Sequence, residues 1–318
     1  MLHRSRLLPI LLAGVGIALI VGASIAPRFL LGDGRLPLDL EKTTWTMHDA
    51  QATFRGEPAP VTRQLHLEIQ NPADTESAGV RVGDTLRAGE SDSDFENLVT
   101  AATWSFTMNR VTGQPEGEMR LNSVMGMPDV VVEDGGQWLK FPVGVERRDY
   151  DVFDPTLRGT APARFVGEEE IAGRRVYRFA QEIAPTNVAL LYADMRNTKT
   201  LTTPEGEPLR TFLFHSATRE LTVDQVSGIV VGMNEKVDDF YGDAQGVGVE
   251  NVVTYDARMS DEQKVEMASQ LGAVFSQAQS RAVTVGVMVL GSILTLAGLA
   301  GALWPGRFTR AGRRRAGA

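Results

Sequence analysis

The chain has no cysteine at all and only four histidines. The first absence removes disulfides, thiol nucleophiles and thiolate metal sites together, so any folded unit must stand on its own core. Beyond the N-terminal segment the histidines are His48, His66 and His215, and no pair falls at the spacing of a zinc-binding helix. Missing too are a nucleophile elbow, a phosphate-binding glycine loop and a dinucleotide fingerprint. Gly246-Val247-Gly248 reads as a turn rather than a phosphate cradle. Two acidic clusters, one at Glu90, Asp92, Asp94 and Glu96 and one at Asp238, Asp239 and Asp243, invite calcium. An EF-hand loop starting at Asp92 puts Asn97 and Thr103 where Gly and Glu are needed, so both clusters read as solvated loops. The expectation is a non-enzymatic protein with no catalytic residue, no cofactor and no metal.

Charge is absent from two further places. Residues 7–26 and 282–304 contain no charged residue, over 20 and 23 positions. A bilayer core of about 30 Å takes about 20 apolar helical residues, so both segments are long enough to span. Arg4 and Arg6 precede the first, and Arg307, Arg310, Arg313, Arg314 and Arg315 follow the second. All 40 acidic residues lie between them, where 25 basic residues leave a net charge of −15. Basic flanks mark the cytoplasmic side, which places both termini inside and the middle outside a plasma membrane. A cleaved signal peptide is the rival reading of the first segment. Pro27 directly after Ala23-Ser24-Ile25-Ala26 and the length of the apolar run argue for an uncleaved anchor. An acidic middle also excludes nucleic acid as a partner.

Seven stretches follow from this reading: a cytoplasmic 1–6, a membrane helix 7–26, a linker 27–42, a β-rich domain 43–258, a juxtamembrane helix 259–281, a membrane helix 282–304 and a basic tail 305–318. Within 43–258 the texture is one of short β-rich runs between Gly, Pro, Asn and Asp. Leu65, Leu67 and Ile69 alternate with polar neighbours, the period of a half-buried strand. Arg174 to Phe179 alternates after a turn at Ala172-Gly173, and Leu221 to Val231 reads as a hairpin through Ser227-Gly228. Asn251 to Tyr255 is a further strand, and Thr186 to Met195 has room for one short helix. Sequential strands of this kind pair antiparallel. The expected fold is mainly β, a curved half-barrel or sandwich-like antiparallel sheet, with two membrane helices. Ser260-x-x-Gln263 is a capping pattern, and with no proline from Asp261 to Trp304 the second membrane helix reads as one long helix. Leu271 and Phe275 on its first part are expected to pack on the sheet.

Small residues recur every four positions in the first apolar segment, at Gly14, Ala18, Gly22 and Ala26, and again at Gly298 and Ala302 in the second. Such ladders let helices approach closely, either the two helices of one chain or those of two copies. Neither segment holds an ionisable residue, so no proton relay is implied.

Trp138-Leu139-Lys140-Phe141-Pro142-Val143 is the most distinctive stretch. It is followed by Tyr150, Phe153-Asp154-Pro155-Thr156-Leu157, Phe165-Val166-Gly167-Glu168-Glu169, Gly173 and Tyr177-Arg178-Phe179. With Leu36-Pro37-Leu38-Asp39 and Val226-Ser227-Gly228, the pattern resembles the actinobacterial two-pass envelope proteins of the PorA-type porin family, over essentially the whole chain. Val143 stands where family members usually carry a second aromatic. Lys140, Phe141, Pro142, Tyr150, Asp154, Gly173 and Tyr177 are expected to be structural. The resemblance implies a channel; two anchors cannot enclose water, so several copies would have to form it, and the −15 middle would favour cations. Read from the residues, strands shorter than the roughly 10 of a membrane barrel favour a different protein, one that binds or passes a lipidic or cell-wall ligand or a partner. A half-barrel lipid carrier offers a fold-level analogy. A cell-wall glycan enzyme with paired carboxylates is the third alternative.

Overall fold

The computed structural model describes residues 4–30, 34–91, 93, 95–124, 126–133, 135–271 and 277–303. Two compact units result: Gly34–Gly272, and a second unit drawn from both ends of the chain. The acidic residues Asp92 and Asp94, Phe275, Trp304 and the basic tail 305–318 lie outside the described residues.

The first unit is β1 (Thr44–Asp49), β2 (Thr53–Phe54), β3 (Glu57–Pro58), β4 (Val61–Ala73), β5 (Ser77–Ala88), β6 (Leu98–Asn109), β7 (Met119–Asn122), β8 (Val130–Val132), β9 (Tyr150–Asp154), β10 (Gly159–Ile171), β11 (Arg174–Asn187), β12 (Thr198–Thr202), β13 (Pro208–Asp224), β14 (Val230–Gly242) and β15 (Gly248–Arg258). All join one antiparallel sheet in the order β8-β7-β6-β5-β4-β1-β15-β14-β13-β11-β10-β9, with β12 beside β13 and the short β2 and β3 beside β15. Several strands are far longer than their sequence suggests, 17 residues in β13 and 14 in β11. Charged residues within them sit on the outer face and do not end them: Glu68, Arg81, Arg164, Glu168, Lys236 and Asp256 are all exposed. Two-residue turns drive several of the pairings. Ala172 and Gly173 both take positive φ between Ile171 and Arg174, the geometry that matches strand twist.

Curvature is what distinguishes this sheet from a flat or sandwiched one. β6 is third and β9 twelfth in the strand order, nine steps that would separate them by about 43 Å on a flat sheet. Their side chains touch instead: the rings of Trp104 and Phe153 lie 5.1 Å apart. The sheet has therefore curled until its two edges face each other. Residues 135–145 fill the gap between them. Gln137 bonds both Asp151 and Phe153 of β9, Val143 N–H donates to Val111 O after β6, and Phe141 N–H donates to Gly228 O at 2.6 Å.

The residues of the family resemblance meet at this seam. Phe141 is fully buried and stacks on Phe179 at 5.1 Å, with Tyr150 edge-on to both rings. Tyr177 packs edge-on to Phe165. Pro142 is half-buried and Gly173 forms the β10–β11 turn. Lys140 is buried, and its Nζ donates to Ser227 O at 2.7 Å and Phe141 O at 3.1 Å.

After β15 the chain enters α2 (Asp261–Ser269), capped by Ser260, whose side chain accepts from Gln263 N–H. Gln263 bonds the Thr44 and Thr46 backbone of β1. Met267, Ala268 and Leu271 are buried, whereas Val265 is exposed. The expected single helix to Trp304 is not what forms: α2 ends at Ser269, and Leu271 N–H turns back to Ala268 O. Leu271 O accepts from Arg174, which also holds Asp224, so the chain leaves α2 already bonded to the β10–β11 and β13–β14 turns.

The second unit pairs α1 (Arg4–Leu30) with α3 (Gln277–Leu303). In α3, Ala282–Leu303 is 22 residues and apolar enough to cross a membrane, while the apolar stretch Pro9–Ser24 of α1 is shorter. Their contact uses small residues, Gly298 of the expected set among them, while on the α1 side it runs through Gly16. A Cβ on Gly16 would fall 2.3 Å from Thr295 Oγ1, and one on Gly298 would fall 2.4 Å from Ala13 N. Gly14 and Gly22 have nothing within 4 Å, and Ala18 is exposed. The contact stripe is Pro9, Ala13, Gly16 and Ile20, spaced three and four residues apart, whereas a strict step of four drifts around the helix. Ala26 lies further along α1, and Ala302 is half-buried on α3.

Gly228 tests the seam. It takes φ +73, and a Cβ there would sit 2.1 Å from Phe141 O. Gly228→Ala is expected to cost about 2–4 kcal/mol through the left-handed backbone and the clash together, read as a lower urea midpoint at unchanged slope.

Candidate functional site

The inward register of each strand should be apolar, and for the most part it is. Val61, Leu65 and Leu67 of β4 point in with Val80, Val82 and Leu86 of β5, and with Leu221, Val223, Met233 and Val237 of β13 and β14. Charged residues interrupt that register at fixed places. Arg63 stands between Val61 and Leu65, Asp84 between Val82 and Leu86, Arg219 between Ala217 and Leu221, and Glu235 between Met233 and Val237, all buried. His215 and Asp154 are buried as well.

These groups form one network. Arg63 Nη2 donates to Asp84 Oδ2 at 2.8 Å, its Nε stands 2.8 Å from Oδ1 as an ion-pair contact, and Nη1 lies 3.6 Å from Glu235. Arg219 bonds Glu235 at 2.9 Å, Gln181 at 2.9 Å, and Asp154. His215 sits between Asp239, 2.6 Å from Nδ1, and Asp154, 3.3 Å from Nε2. Asp154 also accepts from Leu157 N–H at 2.6 Å, which fixes the β9–β10 turn. The network therefore ties β4, β5, β9, β11, β13 and β14 together across the concave face.

Electrostatics follow from this geometry. Burial alone would lower the His215 pKa, but Asp239 and Asp154 outweigh it and raise it to about 10. Burial would raise Asp154, yet Arg219 and His215 hold its carboxyl well below the usual carboxylate range. Glu235 is lowered likewise, against burial, by Arg219 and Arg63. Asp84 goes the other way: burial pushes it up despite Arg63.

Next to the network lies a cavity of about 720 Å³, lined among others by Arg63, Asp84, Trp104, His215, Asp239 and Tyr255. It opens at the end of the sheet where β5 meets β6 and β14 meets β15. The chain enters and leaves at the opposite end, where Leu36 N–H donates to Arg110 O and Leu271 O accepts from Arg174. Toward its open end the cavity lining includes Arg158 and Tyr192, Arg196 and Lys199, and Tyr241 and Glu250. Arg158 stacks over Tyr192 at 3.6 Å and pairs with Asp194 at 2.7 Å, while Lys199 pairs with Glu250 at 2.6 Å. The turn after β11 is two short 3-10 segments, Val188–Leu190 and Met195–Asn197, where the sequence suggests one short helix.

Of the family-motif residues, the structure brings Asp154 into the network; Lys140, Phe141, Pro142, Tyr150, Gly173 and Tyr177 are at the seam or the turn beside it. His66 is exposed and bonds Thr44. Asp239 serves His215, Asp238 accepts from Thr254, and Asp243 caps its own turn, so that acidic cluster is divided among three tasks. No group of three or more His, Asp or Glu among the described residues is placed to hold a metal ion. Sequence reasoning passed over Arg63, Asp84, Arg219 and Glu235. The signal for them was available: each is a charged residue on the apolar register of an alternating strand.

Comparison with known proteins bears on the whole chain. The family model for PorA, described as Porin PorA, matches residues 8–300. A protein of Corynebacterium resistens named Porin PorA is 27% identical over 218 residues, covering 56% of this chain and 52% of that protein. A second of the same name from Corynebacterium amycolatum is 25% identical over 233 residues, covering 64% and 59%. The chain thus spans between half and three-fifths of the length of these relatives.

The raised His215 pKa sets a direction for stability. An unfolded imidazole titrates at 6.5 and the folded one near 10, so the stabilisation is complete below about pH 6.5 and is lost as pH rises toward 10. Asp154 sets the acid side: its contribution is full above its ordinary value of 3.8 and is lost as pH falls through its lower folded value. Urea unfolding across pH 4–10 should show a decline on the alkaline side. His215→Ala should remove that part of the slope. It should also cost about 3 kcal/mol near pH 6, because Asp239 is left without its cation and Asp154 with Arg219 alone.

Proposed function

The chain belongs to the PorA porin family, and from that premise we propose that it is a membrane-anchored, non-enzymatic protein of the cell envelope that binds a lipidic or cell-wall ligand in the cavity of its β unit. The observation that carries this reading is the polarity of the curled sheet. Its interior is apolar with a charged floor, and its outer face bears His66, Glu68, Arg81, Glu168, Lys236 and Asp256. A lipid-spanning barrel has the reverse arrangement, an apolar band outside and a polar lumen. A sheet of this polarity belongs in water, with its concave side available to a ligand. The span Ala282–Leu303 in α3 supports anchoring, and α1 packed against it supports a two-pass anchor with both termini on the cytoplasmic side.

A second reading is favoured by the names of both relatives. In it, several copies assemble through their helices into a channel, which the −15 charge between the apolar segments biases toward cations. The exposed small-residue face of α1, Gly14, Ala18 and Gly22, supplies the contact between copies.

Planar bilayers separate the two. Purified full-length protein is expected to give no reproducible conductance steps, because neither apolar segment has an ionisable or strongly polar face to line water. Stable cation-selective steps that disappear in Gly14→Leu, at unchanged ectodomain stability, establish the channel and displace the first reading.

A further inference from the structure

The cavity has features that narrow its ligand. The ionic side chains of its floor are engaged with one another, Arg63 with Asp84 and His215 with Asp239, and further out Arg158 and Arg196 pair with Asp194 and Lys199 with Glu250, while Glu96 accepts from Ser91 and the exposed Arg55 stacks over Phe54. A phosphate or ammonium brought to that floor has to displace one of these pairs or lose its water without a counter-charge, and both are costly. A hydroxyl does neither. It donates and accepts at once, so it can use the spare lone pairs of paired carboxylates.

Trp104 supplies an independent pointer. It lines the cavity, is 1% exposed, and its indole N–H has no acceptor among the described residues. A buried donor without a partner is a standing cost that a ligand oxygen removes. Tyr192, Tyr241 and Tyr255 line the same space, amphipathic rings that offer an apolar face and a polar tip together. About 720 Å³ lies in the ordinary range for small-molecule sites.

The mouth differs from the floor. Phe95, Leu190 and Met195 are 84%, 81% and 79% exposed. Each lies within two residues of a cavity-lining residue, namely Glu96, Tyr192 or Arg196. Large exposed apolar side chains next in sequence to cavity-lining positions offer apolar matter a place to sit.

We infer that the cavity receives an uncharged, hydroxyl-rich headgroup of the saccharide class, carried by an amphiphile whose alkyl chain lies on the Phe95, Leu190 and Met195 rim. This rests on the cavity being a ligand site, as proposed above, and adds the class of ligand. Trp104 Nε1–H donates to a headgroup oxygen, the tyrosines cover its carbon faces, and the paired ions accept its hydroxyls.

The test is calorimetric titration of the full chain in phosphatidylcholine nanodiscs, with empty nanodiscs as the blank. The probes are an alkyl disaccharide, an alkyl phosphocholine and an alkyl carboxylate of equal chain length, and the free disaccharide. The expected result is at least tenfold tighter binding of the alkyl disaccharide than of either charged amphiphile. Trp104→Phe should weaken it about tenfold, and Leu190→Ser with Met195→Ser should weaken the alkyl disaccharide while leaving the free sugar unchanged. Equal or tighter binding of a charged amphiphile overturns the saccharide assignment and leaves the cavity a ligand site of another class. Free disaccharide binding as tightly as its alkyl form overturns the rim's part and identifies a soluble sugar. Binding of none of the four overturns this inference, and the cavity reading is then tested separately by whether any envelope lipid extract protects the unit against heat. If Trp104→Phe fails to fold, the rim variant and the probe ranking carry the decision.

Discussion

Arg219 stands on β13 with Asp154 on one side and Glu235 on the other, and the rest of the β unit is arranged around that position. A single curled sheet has one concave face to fill, and its strands differ in length and direction at every step. Apolar side chains fill most of that face without specifying which strand stands opposite which. The buried ion pairs do specify it. Arg63 requires Asp84 across the β4–β5 ladder and Glu235 across the interior; Arg219 requires Asp154 from the far edge of the sheet. Arg63, Arg219 and protonated His215 face Asp84, Asp154, Glu235 and Asp239, so the cluster is close to neutral. The raised Asp84 carboxyl is the member that burial disfavours most visibly as an anion. Such a cluster adds little net stability over a well-packed apolar core of the same volume, while the loss of any one member leaves a buried charge exposed to low dielectric. Its retention beside a cavity fits a floor that must be polar as well as rigid.

The seam is the second constraint. A sheet curled far enough for β6 to meet β9 leaves two edges with unpaired backbone groups, and exposed edges invite pairing with other chains. Residues 135–145 satisfy them from both sides by bonding β9, the connection after β6, and the start of β14. That explains why Trp138 to Val143 and Val226 to Gly228, far apart in sequence, are the stretches that carry the family resemblance. They are two halves of one closure, and their aromatic and glycine content follows from the close approach of Phe141 to Gly228.

Much of this was legible in the chain. The two uncharged runs, the alternation at Leu65 to Ile69, the Ala172-Gly173 turn and the Ser227-Gly228 hairpin all correspond to elements that form. Strand length was not legible, because charged residues on the outer face of a long strand look the same in sequence as charged residues in a loop. Glu168, Glu169 and Glu170 are three charges in a row, yet they form the turn-ward end of β10. The end of α2 was less legible: no proline follows Ser269, and the Leu271 carbonyl just beyond it is taken up by Arg174 from a turn nearly a hundred residues earlier. In α1 the small-residue ladder was real, but a strict step of four does not stay on one face, and the stripe through Gly16 makes the contact. The cavity residues were visible one at a time as charges on apolar registers, yet their pairing depends on curvature, which no local pattern encodes.

The two units solve opposite solvation problems. In α1 and α3 the close contact is made by glycine, alanine and hydroxyl side chains whose own hydrogen bonds stay within the helix, as Thr295 Oγ1 does with Gly291 O. That is the packing expected where lipid gives no hydrophobic drive and only close fit is available. The β unit buries Trp45, Phe141, Phe153 and Phe179, keeps its interior charges paired with one another, and sets Glu68, Arg81, Lys236 and Asp256 on its outer face. A family named for pores therefore contains here a sheet that is inside-out relative to a membrane barrel. Neither apolar run, residues 7–26 or 282–304, carries an ionisable residue. Among the described residues, paired charges, aromatic rings and an unmet indole donor come together in the cavity of the β unit, on the concave side away from the charged outer face.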